Sequence, residues 1–447
     1  MNFEELKKVV KEAGVVGAGG AGFPSYAKFD KSVDTIILNC AECEPLLRLH
    51  RSLLELKAHE ILLALDLIKK TIGAKKVIVA LKEAYTRAIA AVESELASFE
   101  DITVCKLDEI YPAGDEVVLI YEATGRVVAP GSIPVSVGIT VFNVETVFNI
   151  YNAVFENTPV THKFVTVTGE VKKPATFYVP IGTQLSEVIS LAGGETINDP
   201  AYLLGGPMMG RIGSDLEFVT KTTNAVIVLP QDHFVVTRKR IKTSVDLKRA
   251  MASCSQCRYC TDLCPRALLG HPIQPHEFMR VVSSHDSKNI KPYLDAMFCS
   301  GCALCEMYSC HQGLSPRALI AEFKAGMRAK GVSVPKGVEA KPVPKHSELR
   351  RVPLSRLCTR LNLDVYNVSA PISENEYTPK SVKVLLSQHI GVPATPVIKV
   401  GDAVKRSDVI ATTSDEKLGV SIHSSIDGIV KEITDKFIVI KSKGGVK

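Results

Sequence analysis

The chain has no tryptophan, and aromatic residues make up only 6% of its 447 positions. It has no run of 18 apolar residues, which excludes a membrane-spanning helix. Met1–Lys11 is charged and lacks a long apolar core, so it does not read as a signal peptide. No basic stripe carries interleaved aromatics. Apart from Arg238-Lys239-Arg240 the lysines and arginines are mixed with acids, and the net charge is only +6. That argues against nucleic-acid binding. Long repeats and low-complexity tails are missing too. What remains is ordinary for folded domains, with 46% hydrophobic and 23% charged residues. The length fits about three domains.

Cysteine is where the chain is rich. Eight of its twelve cysteines fall in two runs: Cys254, Cys257, Cys260 and Cys264, then Cys299, Cys302, Cys305 and Cys310. The first run, followed by Pro265, reads C-x2-C-x2-C-x3-C-P, the bacterial ferredoxin pattern. Three close thiolates hold three corners of one [4Fe–4S] cube, and the fourth cysteine reaches the other cluster. The pattern therefore assigns one cluster to Cys254, Cys257, Cys260 and Cys310, and a second to Cys299, Cys302, Cys305 and Cys264. The second run is spaced x4 before Cys310 and has no proline there. Disulfides and zinc are the alternatives, but zinc sites usually use paired C-x2-C units. Two such clusters make the chain a carrier of single electrons. The four other cysteines, Cys40, Cys43, Cys105 and Cys358, fit a reducing cytosol.

The first 155 residues read as α/β. Phe3, Leu6, Val9 and Val10 form an amphipathic helix, either a targeting peptide or a helix against the core. Strands are expected at Thr35–Leu38, Val77–Leu81 and Ile102–Leu107, with helices over Ala58–Lys70 and Ala84–Ser98. Such alternation predicts a parallel sheet with helices on its faces. Residues 160–230 read as a small α+β module, with a strand at Phe164–Val171 and a helix over Gln184–Ala192. Residues 245–325 read as helices around the cysteines, and Val332–Pro344 as a connector. From about Ser381 short strands and turns predict a small β-barrel or sandwich.

The loop Gly17-Ala18-Gly19-Gly20-Ala21-Gly22-Phe23-Pro24 suits a phosphate, since glycines let backbone amides approach it. A tight glycine turn is the alternative. Three further segments, Asn39–Pro45, Tyr111–Glu116 and Asn143–Thr146, lie at expected C-terminal strand ends, where open α/β sheets bind ligands.

These segments resemble the flavin and NADH domain of the complex I 51 kDa subunit and, more closely, the RnfC family. Val165–Gly210, with Gly205-Gly206-Pro207-Met208-Met209-Gly210, resembles that family's ligand-binding β-grasp (SLBB) module. Gln388–Gly391 through His423–Gly428 resembles its barrel-sandwich. RnfC proteins place the barrel first, whereas here it comes last. That order is similar to the cobalamin reductase family of propanediol-utilisation microcompartments. The resemblance implies a multidomain α/β chain of four modules. These are a Rossmann-like FMN/NADH domain (1–157), an SLBB β-grasp module (160–230), a helical double-[4Fe–4S] ferredoxin-type domain (245–325) and a C-terminal RnfC-type barrel-sandwich (380–447).

By the same resemblance Gly17, Gly19 and Gly20 lie near the FMN, and Lys28 contacts the flavin. Asn39, Glu42 and Glu44 match family contacts. Asp115 and Glu116 match acidic positions beside the nicotinamide nucleotide, and Asn143 and Thr146 match flavin-side contacts. The chain differs at Ala18, where the family often has arginine. Cys40 and Cys43 read either as a redox or metal C-x2-C pair or as thiols packed at the flavin site. Lys417 reads as a turn lysine rather than a modified one, and the D-x-H-x-x-G pattern of base-off cobalamin enzymes is absent.

The implied activity is an NADH-dependent oxidoreductase that passes electrons through FMN and two [4Fe–4S] clusters. Its implied acceptor is a corrinoid or a corrinoid-handling protein. A microcompartment shell and a cobalamin adenosyltransferase are the implied partners. The implied location is the cytoplasm, inside a bacterial microcompartment. Two rival functions are an RnfC-like component of a membrane complex and a non-enzymatic electron-wiring protein.

Overall fold

A computed structural model describes residues 1–442. The last five residues of the 380–447 segment lie outside the described residues.

Helix α1 (Phe3–Glu12) opens the chain with a capping box. The Asn2 side chain accepts from the Glu5 N–H, and the Glu5 carboxylate accepts from the Asn2 N–H. Its apolar stripe faces inward, with Leu6 and Val10 fully buried.

Four runs rich in Val, Ile and Leu then form a parallel sheet: β1 (Thr35–Cys40), β2 (Lys76–Lys82), β3 (Ile102–Leu107) and, beyond the short β4 (Ile110–Tyr111), β5 (Ile139–Asn143). Their order is β3-β2-β1-β5. The pleat sends alternate residues of β1 to opposite faces. Ile36 and Leu38 join one core with α2 (Leu49–Leu56), α3 (Ala58–Ile72), α4 (Thr86–Glu95) and α6 (Val144–Phe155). Ile37 and Ala41 join a second core with α5 (Glu116–Thr124). Apolar residues on both faces explain why these strands read as unbroken hydrophobic runs.

The next unit is a five-stranded sheet ordered β7-β6-β10-β8-β9. It comprises β6 (His162–Gly169), β7 (Ala175–Pro180), β8 (Pro200–Leu204), β9 (Arg211–Gly213) and β10 (Ala225–Pro230), with helix α7 (Leu185–Leu191). The first strand, β6, lies parallel to the last, β10, and the other pairs are antiparallel. That is a β-grasp. Helices α8 (Phe234–Arg240) and α9 (Thr243–Ser253) lead into the short helices that carry the cysteines.

The 332–344 connector is strapped down, with the Lys341 N–H donating to the Gly270 carbonyl at 2.8 Å. Beyond it β11 (Val352–Pro353) pairs antiparallel with β4. The chain ends in two facing sheets. One is built from β12 (Ser381–Leu385), β14 (Ala403–Val404), β17 (Gly428–Ile433) and β18 (Phe437–Ser442), the other from β13 (Thr395–Pro396), β15 (Val409–Thr412) and β16 (Ile422–His423). The barrel's Val382, Val384 and Ile440 share one core with Leu6 and Val10.

Lys221 sits where three modules meet. It is 2% exposed and donates to the Gly14 carbonyl (2.7 Å) and the Ser421 carbonyl (3.0 Å). Burial pulls its pKa down to about 7, whereas an unfolded lysine titrates near about 10.4. The neighbouring His389 is also lowered by burial, and His423 falls to about 3 through burial and then Lys221. Both rings stay neutral in that window. Below about pH 7 both states of the chain carry the lysine charge and the burial penalty is complete. Between the two pKa values the unfolded chain binds the extra proton, so stability rises with pH. The wild type is expected to gain more Tm than Lys221→Met between pH 7 and about pH 9. An equal gain in both proteins would contradict this.

Candidate functional site

A cleft of about 570 Å³ opens at the C-terminal ends of β1 and β5. That size suits a nucleotide-sized ligand. Gly17, Gly19, Gly20, Lys28, Asn39, Glu42, Glu44, Glu116, Asn143 and Thr146 line it, so ten of the eleven expected cofactor contacts come together.

Local structure explains how each is held. Asn143 caps α6 by accepting from the Thr146 N–H at 2.7 Å. Thr146 Oγ1 in turn accepts from the Ala18 N–H at 3.0 Å, which pins the glycine loop to the helix start. Ala18 is buried and so contributes only its backbone. Asn39 bridges two loops, donating to the Gly114 carbonyl and accepting from the Ala41 N–H. Glu42 accepts from the first N–H groups of α2, those of His50 and Arg51, where the helix dipole favours a carboxylate. Lys28 is half-buried and donates to Glu116 (3.0 Å) and the Val141 carbonyl (2.8 Å).

The β-grasp module forms the facing wall. Glu44 accepts from the Met208 and Met209 N–H groups, both at 2.8 Å. Burial pushes its carboxyl above the usual range, and those two N–H groups oppose the shift. Lys239 donates to the Met208 and Gly210 carbonyls and fixes the same loop. Thr166, Leu204 and Asn224 also line this wall, and His50 and Ser25 line the other. Sequence reasoning missed all five. The Gly205–Gly210 segment had marked the module without showing that it faces the glycine loop.

Asp115 stands apart from the cleft lining. It caps α5 by accepting from the Val117 and Val118 N–H groups, and it pairs with Arg266 at 2.9 Å. Its carboxylate therefore joins the first domain to the cysteine domain. Cys43 lines the cleft, while Cys40 is buried at the end of β1. Burial pushes the Cys43 thiol up to about 12, so it stays protonated. Lys417 lies exposed in a turn.

Two observations test whether a flavin nucleotide suits the cleft. Ser25 Oγ and Asn224 Oδ1 are buried there without a hydrogen-bond partner among the described residues. A Cβ at Gly19 would overlap the Asn143 side-chain amide, so the loop lies directly against the cap of α6. Orphaned polar atoms and a backbone-only cradle both fit a polar, phosphate-bearing group.

The cysteines form two groups. Cys264, Cys299, Cys302 and Cys305 line one small void. Burial, and next the Cys310 thiol, push Cys260 up to about 12, with Cys257 and Cys254 adding to the rise. For Cys302, burial and next the Cys264 thiol raise the pKa. Thus Cys264 stands with the second run, while Cys310 leads the thiols that act on Cys260 and Cys264 comes last among them. Among the described residues no three His, Cys, Asp or Glu side chains converge as they would on one ion.

The two runs also repeat a backbone shape. Gln256 and Arg258 have positive φ in the first run, and Gly301 and Ala303 take the matching places in the second. Successive turns of this kind aim N–H groups into a concavity, as anion-binding nests do. The Gly301 and Leu314 N–H groups already point at Cys299 and Cys310 sulfurs, each at 3.3 Å. No sequence signal marks Gln256, Arg258 or Ala303 for this conformation.

Tyr111 connects cleft and sulfurs. It is 2% exposed, and its hydroxyl donates to the Cys302 carbonyl at 2.6 Å. Three residues on, Gly114 lines the cleft beside Cys43. The Cys302 group is therefore the inner one. Cys257, in the other group, is exposed.

Comparison with known proteins finds four family matches along the chain. Residues 10–152 match the Nuo51 FMN-binding domain, 164–212 the SLBB domain, 253–315 a 4Fe-4S dicluster domain and 367–446 the RnfC barrel sandwich hybrid domain. The cofactors that these matches support are FMN and iron–sulfur. The chain is 41% identical over 438 residues to cobalamin reductase PduS of Citrobacter freundii, covering 98% of this chain and 96% of that one. It is 40% identical over 441 residues to PduS of Salmonella typhimurium, covering 98% and 97%. Against one component of the Na(+)-translocating ferredoxin:NAD(+) oxidoreductase complex of Acetobacterium woodii it is 32% identical over 272 residues, covering 59% and 58%. Among the described residues no helix is long and apolar enough to cross a membrane.

Proposed function

The chain belongs to the family of the cobalamin reductase PduS, and from that premise we propose that it carries electrons from NADH, through FMN and two [4Fe–4S] clusters, to a corrinoid. It is an oxidoreductase. The observation that carries the proposal is the short link from Gly114, which lines the cleft, to the buried Tyr111, whose hydroxyl donates to the Cys302 carbonyl.

Gly17, Gly19 and Gly20 would cradle the FMN phosphate, with Ser25, Lys28, Asn39, Asn143, Thr146 and Asn224 around the rest. Bound FMN supplies the exchange between a hydride donor and one-electron carriers, and bound clusters supply the single-electron relay. The chain's own residues do the placing. Lys28 is held in the cleft by Glu116 and the Val141 carbonyl, so its charge needs no rearrangement. Glu44 clamps the β-grasp loop at the cleft. Glu42 and Glu116 are the acids open to a second nucleotide.

Cys254, Cys257, Cys260 and Cys310 would hold the outer cluster, and Cys264, Cys299, Cys302 and Cys305 the inner one. Cys264→Ser is expected to remove about half of the iron, since one cube carries four of the eight. Iron analysis and electron paramagnetic resonance of the reduced protein would check this. Full iron retention in that variant would contradict the assignment.

The function itself is tested by adding hydroxocobalamin and NADH to the anaerobic holoprotein. The expected result is NADH-dependent formation of cob(II)alamin. Turnover of artificial dyes but no cobalt reduction would move the acceptor elsewhere.

A further inference from the structure

A second cleft, of about 430 Å³, lies beside the first cysteine run. Arg258, which stands between Cys257 and Cys260, lines it together with Thr261, Asp262, Lys345, His346 and Arg350. Three permanent cations thus face one carboxylate. Asp262 is shared, 3.3 Å from Arg258 and 3.9 Å from Arg350. Among the described residues Lys345 has no carboxylate partner. His346 turns to Glu348 at 3.8 Å. More than half of each arginine side chain remains exposed, at 61% and 54%. The cleft is therefore electropositive, open and large enough for part of a small molecule.

Its far wall is the segment 344–350 at the end of the connector, which the Lys341–Gly270 hydrogen bond ties to the cysteine domain. That strap brings Lys345 and Arg350 to Arg258 although they stand far later in the chain. The wall is thus part of a defined recess.

We propose that this recess docks the electron acceptor by its phosphate group. Two arginine forks and a lysine match a phosphate's oxygens and charge. The position also fits. The inner cysteine group adjoins the FMN cleft through Tyr111, whereas the outer group exposes Cys257 at the surface, next to Arg258. A phosphate held here brings its carrier to the exposed sulfurs. The inference rests on the reading that these cysteines hold the outer cluster and that a corrinoid is the acceptor. The same chemistry would also suit a free phosphate compound, so the test separates the two sources.

Equilibrium dialysis of the oxidised holoprotein, with no NADH present, measures binding without turnover. The probes are hydroxocobalamin, which carries a phosphodiester, cobinamide, which lacks it, and inorganic pyrophosphate. Lys345→Ala/Arg350→Ala is the variant, and its iron content and visible spectrum show whether it is intact. Hydroxocobalamin is expected to bind about tenfold more weakly to the variant, as befits lost charge-assisted contacts. Cobinamide is expected to bind both proteins alike. Added salt should weaken hydroxocobalamin binding to the wild type.

Equal hydroxocobalamin affinity in both proteins, or no binding to either, would overturn the proposal. So would variant-sensitive pyrophosphate binding that fails to compete with hydroxocobalamin, since the recess would then serve a free phosphate compound. If NADH fails to bleach the flavin, the functional reading falls. The dialysis result is independent of that step.

Discussion

Gly20→Ala is expected to lower FMN affinity by about tenfold while leaving Tm unchanged. Among the described residues, and apart from its own chain neighbours, nothing stands within 4 Å of the Cβ position at Gly20. The added methyl therefore disturbs no packing among the described residues, at a glycine that lines the cleft. Any loss of flavin must then come from the methyl displacing the bound group, a cost of about 1–3 kcal/mol for crowding a tight contact. Gly19→Ala is different in kind. Its Cβ would overlap the Asn143 amide, loosening the cap on α6, and a lost cap costs about 1 kcal/mol of stability. Gly19→Ala should therefore lose both flavin and Tm. Flavin fluorescence during ultrafiltration, alongside thermal melts, reads both quantities. Unchanged FMN affinity in Gly20→Ala would mean that the loop is a structural turn.

The second large effect concerns stability. Lys163 and Glu145 form an ion pair at 2.5 Å, each side chain only 1% exposed. Glu145 sits in the first turn of α6 and Lys163 on β6, so the pair joins the first domain to the β-grasp. Burial pulls Lys163 down, and the Glu145 carboxylate opposes that shift. Lys163→Met would leave the carboxylate buried without its cation, which costs about 3–5 kcal/mol. The domain containing it should lose roughly 5–15 °C in Tm. Glu145→Leu/Lys163→Met removes both charges and is expected to recover most of the loss, because well-packed apolar replacements of buried pairs are often neutral. A double variant as unstable as the single one would show that the pair's worth is in packing rather than charge.

Glu145 also shows where sequence reasoning stops. It lies inside the Asn143–Thr146 motif, whose neighbours Asn143 and Thr146 line the cleft. Its own carboxylate turns away into the domain junction. A motif places a backbone, but the direction of each side chain follows from the helix period. Asp115 behaves the same way, since its carboxylate is taken up by its own helix start and by Arg266 of the cysteine domain. The strands were legible because residues such as Ile36, Ile37 and Leu38 are buried on both faces of the sheet. The cysteine runs were legible because cluster ligation fixes their spacing.

The facing wall of the cleft was not legible. Asn224 and Thr166 share a cleft with Gly19 and Asn143 only through docking of two modules, and no local pattern records that. Nor did the 347–366 segment announce itself. Its short helix Leu354–Arg360 and the β11–β4 pairing depend on the Tyr111 loop, far away in the chain.

The central claim is that one chain joins a nicotinamide-fed flavin to two clusters. Anaerobic titration of the FMN- and iron-loaded protein with NADH, followed by visible absorbance, tests it most directly. The account predicts that flavin and cluster absorbance both bleach with NADH, and that Cys264→Ser keeps the flavin change while losing the cluster change, because the outer cluster is reached through the inner one. Absence of bleaching, with flavin and iron shown to be bound, would contradict it and leave a cluster protein fed by some other donor.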